Sequence, residues 1–253
     1  MPGLSVVLIT LNEAGNIRRC LESVKDLADE ILVVDSGSTD GTRELAASLG
    51  AHVIHQDFLG YIEQKNFATS RAVNQWVLSL DADEALSPEL KESIRSAMVN
   101  PAASGYAMNR LTNYCGAWVR HGGWYPDRKV RLYRKDAGRW EGVNPHDRYT
   151  LFDGARPQWL KGDLLHYSYH SITDHLRQID HFSSVGARAL YAKGVSSSLL
   201  KIFYKPVARF IRNYVIKGGF RDGMTGLVIG INSMHAVFLK YLRLYFLYKG
   251  REL

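Results

Sequence analysis

Cysteine is almost missing from this chain of 253 residues. Cys20 and Cys115 stand far apart and no Cys-x-x-Cys occurs. That excludes a disulfide framework or a cysteine zinc site and fits a reducing compartment. Long hydrophobic runs are missing as well. The longest uncharged stretch, residues 223–239, is broken by Gly226, Gly230, Asn232, Ser233 and His235. It falls short of the ~20 apolar residues that a spanning helix needs. No basic segment precedes the first apolar run, and residues 6–11 are too short for a secretory signal, so a cytoplasmic protein is expected. Neither Gly-x-Gly-x-x-Gly nor Gly-x4-Gly-Lys-[Ser/Thr] occurs, so dinucleotide enzymes and P-loop NTPases lose their usual phosphate cradle. Internal repeats and low-complexity segments are also absent.

What is present is an ordinary globular composition, 46% hydrophobic and 23% charged, with an uneven charge. The net charge is +7, but residues 199–253 alone carry ten Lys or Arg against two acids, leaving the rest at −1. A basic tail suits nucleic acid or an anionic membrane. Here its bases alternate with aromatics (Phe203, Tyr204, Phe210, Tyr214 and onward) in helical, apolar stretches and not in a recognisable RNA-binding sheet motif. An amphipathic helical tail lying in a membrane interface is the expectation, with no nucleic-acid partner.

Residues 4–11 and 30–35 form near-continuous β-rich runs, as strands covered on both faces do. Residues 52–55 and 76–80 are further strands. Ile17, Leu21 and Val24 fall at helical spacing, as do Leu90, Ile94 and Met98 behind a Ser87-Pro88 start. A helix over 64–72 leads into the strand at Trp76. This βαβαβαβ pattern predicts a doubly wound, mostly parallel α/β sheet. Beyond residue 100 the rhythm changes. Strands are expected at 105–111 and 129–133, flanking a loop rich in glycine and aromatics that has the character of a binding loop. Residues 138–162 read as a long polar segment, and helices follow from about Thr173 to the end.

The strands end in acids: Asn12-Glu13, Asp35, and Asp81-Ala82-Asp83-Glu84. In open α/β sheets ligands bind outside the carboxyl ends of the strands. Paired carboxylates there suit a hard divalent cation that shares phosphate oxygens. An isolated Asp-x-Asp is more often a solvated turn, and the neighbouring strand ends tilt the reading towards a metal-bridged diphosphate.

Four segments in order carry a resemblance: Ser5-Val-Val-Leu-Ile-Thr-Leu-Asn-Glu13, Val33-Val-Asp-Ser-Gly-Ser-Thr-Asp-Gly-Thr42, Gln64-Lys-Asn66 and Leu80-Asp-Ala-Asp-Glu84. Together they resemble the signatures of family 2 glycosyltransferases, inverting enzymes of the GT-A fold that use nucleotide-diphosphate sugars. Gly122-Gly-Trp-Tyr-Pro-Asp127 with Arg131-Leu-Tyr133, and Lys205-Pro with Gly218-Gly-Phe-Arg-Asp-Gly223, are similar to the lipopolysaccharide and lipooligosaccharide inner-core β-1,4-glucosyltransferases. The resemblance implies UDP-glucose as donor, Mg²⁺ or Mn²⁺ as cofactor and a lipid-linked oligosaccharide as acceptor. Residues 1–100 would form the nucleotide-sugar half, 101–198 the acceptor and base half, and 199–253 a tail on the cytoplasmic face of the inner membrane.

Carried over by position, Thr10, Asn12, Glu13 and Asp35 go to the uridine and Lys65 to the base or phosphates. Asp81, followed by Ala82, goes to the ribose or a metal water, and Asp83 to the metal, with His166 completing its shell. The family's base follows a histidine, most often as His-Glu. Here the pair is His146-Asp147, one methylene shorter, with Glu141 and Asp153 as rivals. Trp124, Tyr125 and Arg128 would meet the acceptor. A polyprenyl-phosphate sugar transferase, which shares the N-terminal half, and a non-catalytic nucleotide-sugar-binding protein are the alternatives.

Overall fold

The computed structural model describes residues 2–143 and 146–251. Four parallel strands form the part that the apolar runs specify: β1 (Leu4–Thr10), β2 (Glu30–Asp35), β3 (His52–His55) and β4 (Trp76–Asp81), in the order β3-β2-β1-β4. Their register pairs Thr10 with Asp35 and Ile9 with Asp81, so the acidic strand ends come level. Successive side chains of a strand face opposite ways, and β1 fills both sides. Val6 and Leu8 pack with Ile17, Cys20, Leu21 and Val24 of α1 (Ile17–Val24) and with Leu90, Ile94 and Met98 of α4 (Pro88–Val99). Val7 packs on the other side with Ala68 and Ala72 of α3 (Tyr61–Arg71). α2 (Thr42–Ser48) links β2 to β3. Ser87 caps α4 by accepting from the Leu90 N–H at 3.2 Å, with Pro88 in the first turn, as the sequence predicts.

Beyond β4 the sheet turns antiparallel. β8 (Asp127–Arg134) pairs with β4, β6 (Gly105–Tyr114) with β8, then come β11 (Gln158–Tyr169) and the short β5 (Glu84–Leu86). The stretch read as a long polar segment, 138–162, holds a hairpin of β9 (Gly138–Val143) and β10 (His146–Leu151). Its inward residues Trp140, Tyr149 and Leu151 complete the α3-side core, with Tyr149 stacked 3.5 Å from Tyr133. The polarity of the segment belongs to the hairpin's outer face, where Arg139, Glu141 and Arg148 pair.

The contacts divide the chain into two compact units, residues 1–110 with 127–166, and 111–126 with 167–253. The second unit is discontinuous in sequence, because the 111–126 segment packs with C-terminal helices. In this second unit β7 (Ala117–Val119) folds back on the end of β6, and Tyr114 and Val119 meet Ile229, Trp124 and Tyr169. The helices are α5 (Ile172–Ala192), α6 (Leu199–Phe210), a π-helical turn (Ile211–Ile216) and α7 (Gly223–Leu247). Asp222 accepts from the backbone N–H groups of Arg120 and His121 at 3.3 and 2.8 Å and from His121 Nδ1 at 2.7 Å. A Cβ on Gly226 would lie 1.8 Å from the Gly219 carbonyl oxygen, so only glycine lets α7 start there.

A buried polar trio sits in this unit. Tyr114 and Asn232 both place a donor 3.0 Å from His175 Nδ1, which fixes that nitrogen as an acceptor on a neutral ring. Burial pushes the His175 imidazole down to about 4, from an ordinary 6.5. The unfolded chain therefore binds more protons between those values. The stabilisation is complete above pH 6.5 and is lost as pH falls towards 4, by up to roughly 3 kcal/mol. Urea unfolding across that range is expected to show this slope in the wild type and a flatter one in His175→Gln.

Candidate functional site

The loops after β1 and β2 are laced together by their motif residues. Asn12, at a left-handed φ of 57°, accepts from the Thr39 N–H at 2.9 Å, and its own N–H donates to Ser38 Oγ at 2.8 Å. The Glu13 N–H donates to Thr42 Oγ1 at 2.8 Å, and the Ala14 N–H to Asp40 at 3.0 Å. Asp35 is wholly buried. It accepts from Thr10 Oγ1 at 2.9 Å, from the Gly37 and Ser38 N–H groups at 3.0 and 2.9 Å, and from Ser38 Oγ. Four donors occupy the carboxylate's four lone-pair sites. Burial opposes its charge, but these hydrogen bonds, led by Ser38, hold Asp35 below the usual carboxylate range. Asp35 thus shapes the loop, while its neighbours Thr10 and Ser36 line a cavity of 830 Å³.

All residues lining that cavity belong to the first unit. They include Thr10, Glu13, Lys65, Asp81, Ala82, Asp83, Arg128, Asp147 and His166 of the predicted set. Asn12 stands on the exposed loop beside it in sequence. Burial, more than the nearby Asp83, Asp40 and Asp81 charges, raises the Glu13 carboxyl above its ordinary value, against the lowering effect of an Asn16 hydrogen bond.

The floor is a network of buried charges. Lys65 of α3 reaches Asp147 Oδ2 at 2.8 Å and Asp81 Oδ1 at 3.0 Å, with the Trp140 ring 4.6 Å away. Arg131 of β8 pairs with Asp81 and with Glu84, the latter at 2.7 Å, and Glu84 in turn accepts from the Asp81 N–H at 3.0 Å. Burial disfavours an ionised Asp81, but the Arg131 and Lys65 charges win and hold its carboxyl far below the ordinary value. Burial likewise opposes the charge on Arg131, and Asp81 and Glu84 outweigh it and raise the guanidinium. Arg110 extends the network from Glu84, at 3.5 Å, to Asp127.

Asp147 is half-buried at the cavity wall. Its rivals are elsewhere: Glu141 pairs with Arg139 and Arg148, and Asp153 stands exposed in the turn Phe152–Gly154. The side chain of His146 lies outside the described residues.

Asp83 Oδ2 and His166 Nε2 stand 3.1 Å apart. Two adjacent ligands of an octahedral ion, each at ~2.1 Å, are separated by about 3.0 Å. The pair therefore fits two neighbouring positions around Mg²⁺ or Mn²⁺. Among the described residues no group of three or more His, Cys, Asp or Glu could hold a metal. A cation held by this pair would need further ligands, such as phosphate oxygens or water.

Sequence reasoning passed over several residues here. Gln64 is buried and lines the cavity. It donates to Ser36 Oγ at 2.9 Å, and its Oε1 has no hydrogen-bond partner among the described residues. Trp159 is half exposed with the Arg128 guanidinium 4.6 Å over its ring. Arg131, of the Arg131-Leu-Tyr133 segment, is buried between Asp81 and Glu84. Trp124 and Tyr125 belong to the second unit, Trp124 against Tyr114, Tyr169 and His175, and Tyr125 beneath Arg120.

Removing Arg131 would leave Glu84 with Arg110 at 3.5 Å and Asp81 with Lys65 at 3.0 Å, so the remaining cations would compensate the two carboxylates less well. Arg131→Met is expected to destabilise the fold by about 3–5 kcal/mol, and adding Glu84→Gln to restore part of it, measured by denaturant unfolding.

A family model described as glycosyl transferase family 2 matches residues 5–163. Over 255 residues the chain is 33% identical to an uncharacterised glycosyltransferase of Rickettsia prowazekii, covering 96% of this chain and 87% of that protein. Over 248 residues it is 27% identical to the lipopolysaccharide core biosynthesis glycosyltransferase LpsC of Rhizobium meliloti, covering 96% and 92%. Among solved structures, glucosyl-3-phosphoglycerate synthase from Mycobacterium tuberculosis in complex with Mn²⁺ and UDP-glucose aligns at a TM-score of 0.38, with 24% identity over 44% of each chain.

Proposed function

The chain belongs to glycosyl transferase family 2, and on that premise we propose that it moves a hexose, glucose from UDP-glucose, onto a sugar hydroxyl of a lipid-linked lipopolysaccharide core oligosaccharide. The observation that carries this reading is one cavity lined by an Asp83–His166 pair and an Asp147 carboxylate held by Lys65. The match to LpsC over nearly its whole length supports the acceptor class.

In this reading the donor's uridine lies along Thr10, Ser36 and Gln64, where the unpaired Gln64 Oε1 suits a base N–H. Asp35 and Asn12 act on that end through the loops they pin. Asp83 and His166 would hold a divalent cation, whose chemistry is to neutralise charge on the leaving diphosphate. Asp147 accepts the proton of the attacking hydroxyl, on the sugar face opposite the leaving group, as inversion requires. Lys65 fixes the direction of that carboxylate and sets the Asp81 side chain beside it. Arg128, exposed at the cavity rim, meets the acceptor. Donor and lipid-anchored acceptor would meet at the cytoplasmic face of the inner membrane.

Two measurements test this. UDP-glucose with Mn²⁺ is expected to raise the melting temperature, since a ligand of the folded state stabilises it. Asp83→Ala and His166→Ala should each remove the Mn²⁺-dependent part, and equal shifts without Mn²⁺ would sink the cation assignment. Asp147→Asn is expected to retain the donor shift yet lose about 10²–10⁴-fold in turnover. Undiminished turnover would favour a polyprenyl-phosphate acceptor, which arrives without a proton to remove.

A further inference from the structure

The second unit carries a helix whose surface is divided into three strips. At about 100° per residue, Leu199, Leu200, Phe203, Tyr204 and Val207 of α6 fall within one arc of about 140°, and all five are exposed. Phe203 and Leu200 are 67% and 73% open to solvent. Lys201, Lys205 and Arg209 occupy the adjoining arc of about 80°. Ile202 and Pro206, the buried residues of the helix, face the rest of the unit. The apolar strip runs on into the π-helical turn, where Val215 and Ile216 are exposed, Ile216 at 75%.

We infer that this face of α6 and the turn after it is a docking surface for a bilayer bearing anionic headgroups. Charge chooses the occupant. From Leu199 to Arg221 the chain has six Lys or Arg and no acid. A protein partner or a second copy of this chain would have to match an apolar strip flanked by unrelieved positive charge. A lipid surface does so directly, taking Phe203 and Leu200 at the acyl boundary while the lysines extend to phosphate. Apolar patches of this kind are rare on free surfaces. Among the described residues no helix is long and apolar enough to cross a membrane, so the contact is interfacial. The surface is also narrower than the tail that the sequence marked out. Ile229, Val237 and Leu244 of α7 are buried, so α7 serves as the support for this contact.

The inference is independent of the transfer reaction and is read by vesicle flotation of the full chain. At low salt the protein is expected to float with phosphatidylcholine vesicles containing phosphatidylglycerol, far less with phosphatidylcholine alone, and less again as salt rises. Leu200→Ser combined with Phe203→Ser should weaken binding on the order of 100-fold, as should Lys201→Glu with Lys205→Glu. Ile216→Ser is an independent single change in the same direction. These positions are exposed, so unchanged melting temperatures and unchanged donor-induced shifts should accompany the loss. Wild type that stays unbound to anionic vesicles, or the double serine variant floating like wild type, overturns the proposal. So does a concentration-dependent dimer in sedimentation velocity that the same variant abolishes without any vesicle binding.

Discussion

The site depends on one constraint, that a cluster of ionised side chains in a dry place must balance itself. Asp81, Glu84 and Asp147 are met by Lys65, Arg131 and Arg110, with Glu84, Arg131 and Lys65 buried and the others only partly open to water. Such a cluster is costly to bury, and removing any one member costs more than the pairs contribute. The balance ties α3, β4, β8 and β10 together at one point, which is where the cavity opens. Asp83, which lies between Asp81 and Glu84 in sequence, stands 3.1 Å from His166 Nε2.

The parallel half of the fold was legible because strands buried on both faces read as unbroken apolar runs, and residues 4–11 and 30–35 do so. The hairpin at 138–151 was not, because one of its faces is polar and its inward residues, Trp140, Tyr149 and Leu151, are few. The strand ends could be located from sequence, but what each acid does could not. Asp35 could be placed at a strand end, but the four hydrogen bonds it accepts, from Thr10 of β1 and from its own loop, could not be read from the motif. The pairing of Lys65 with Asp147 spans 82 residues and leaves no periodic trace in either segment. Asp147 itself was found only through resemblance.

The two units use their polar groups differently. In the first, buried charges surround an open cavity. In the second, the buried trio of Tyr114, His175 and Asn232 is neutral and closes on itself. A satisfied, uncharged network specifies packing without requiring solvent, which suits a support for helices.

The lacing of the β1 and β2 loops has a thermodynamic consequence. Since Asn12, Ser38, Asp40 and Thr42 are already bonded across the two loops, a nucleotide entering there meets walls that are already ordered. Little conformational entropy remains to be lost at that end of the cavity. The heat-capacity change on nucleotide binding should then reflect the ligand's own buried surface, with no contribution from folding of the loops. Differences in affinity between nucleotides would report direct contacts at Thr10, Ser36 and Gln64, undistorted by rearrangement of the backbone around them.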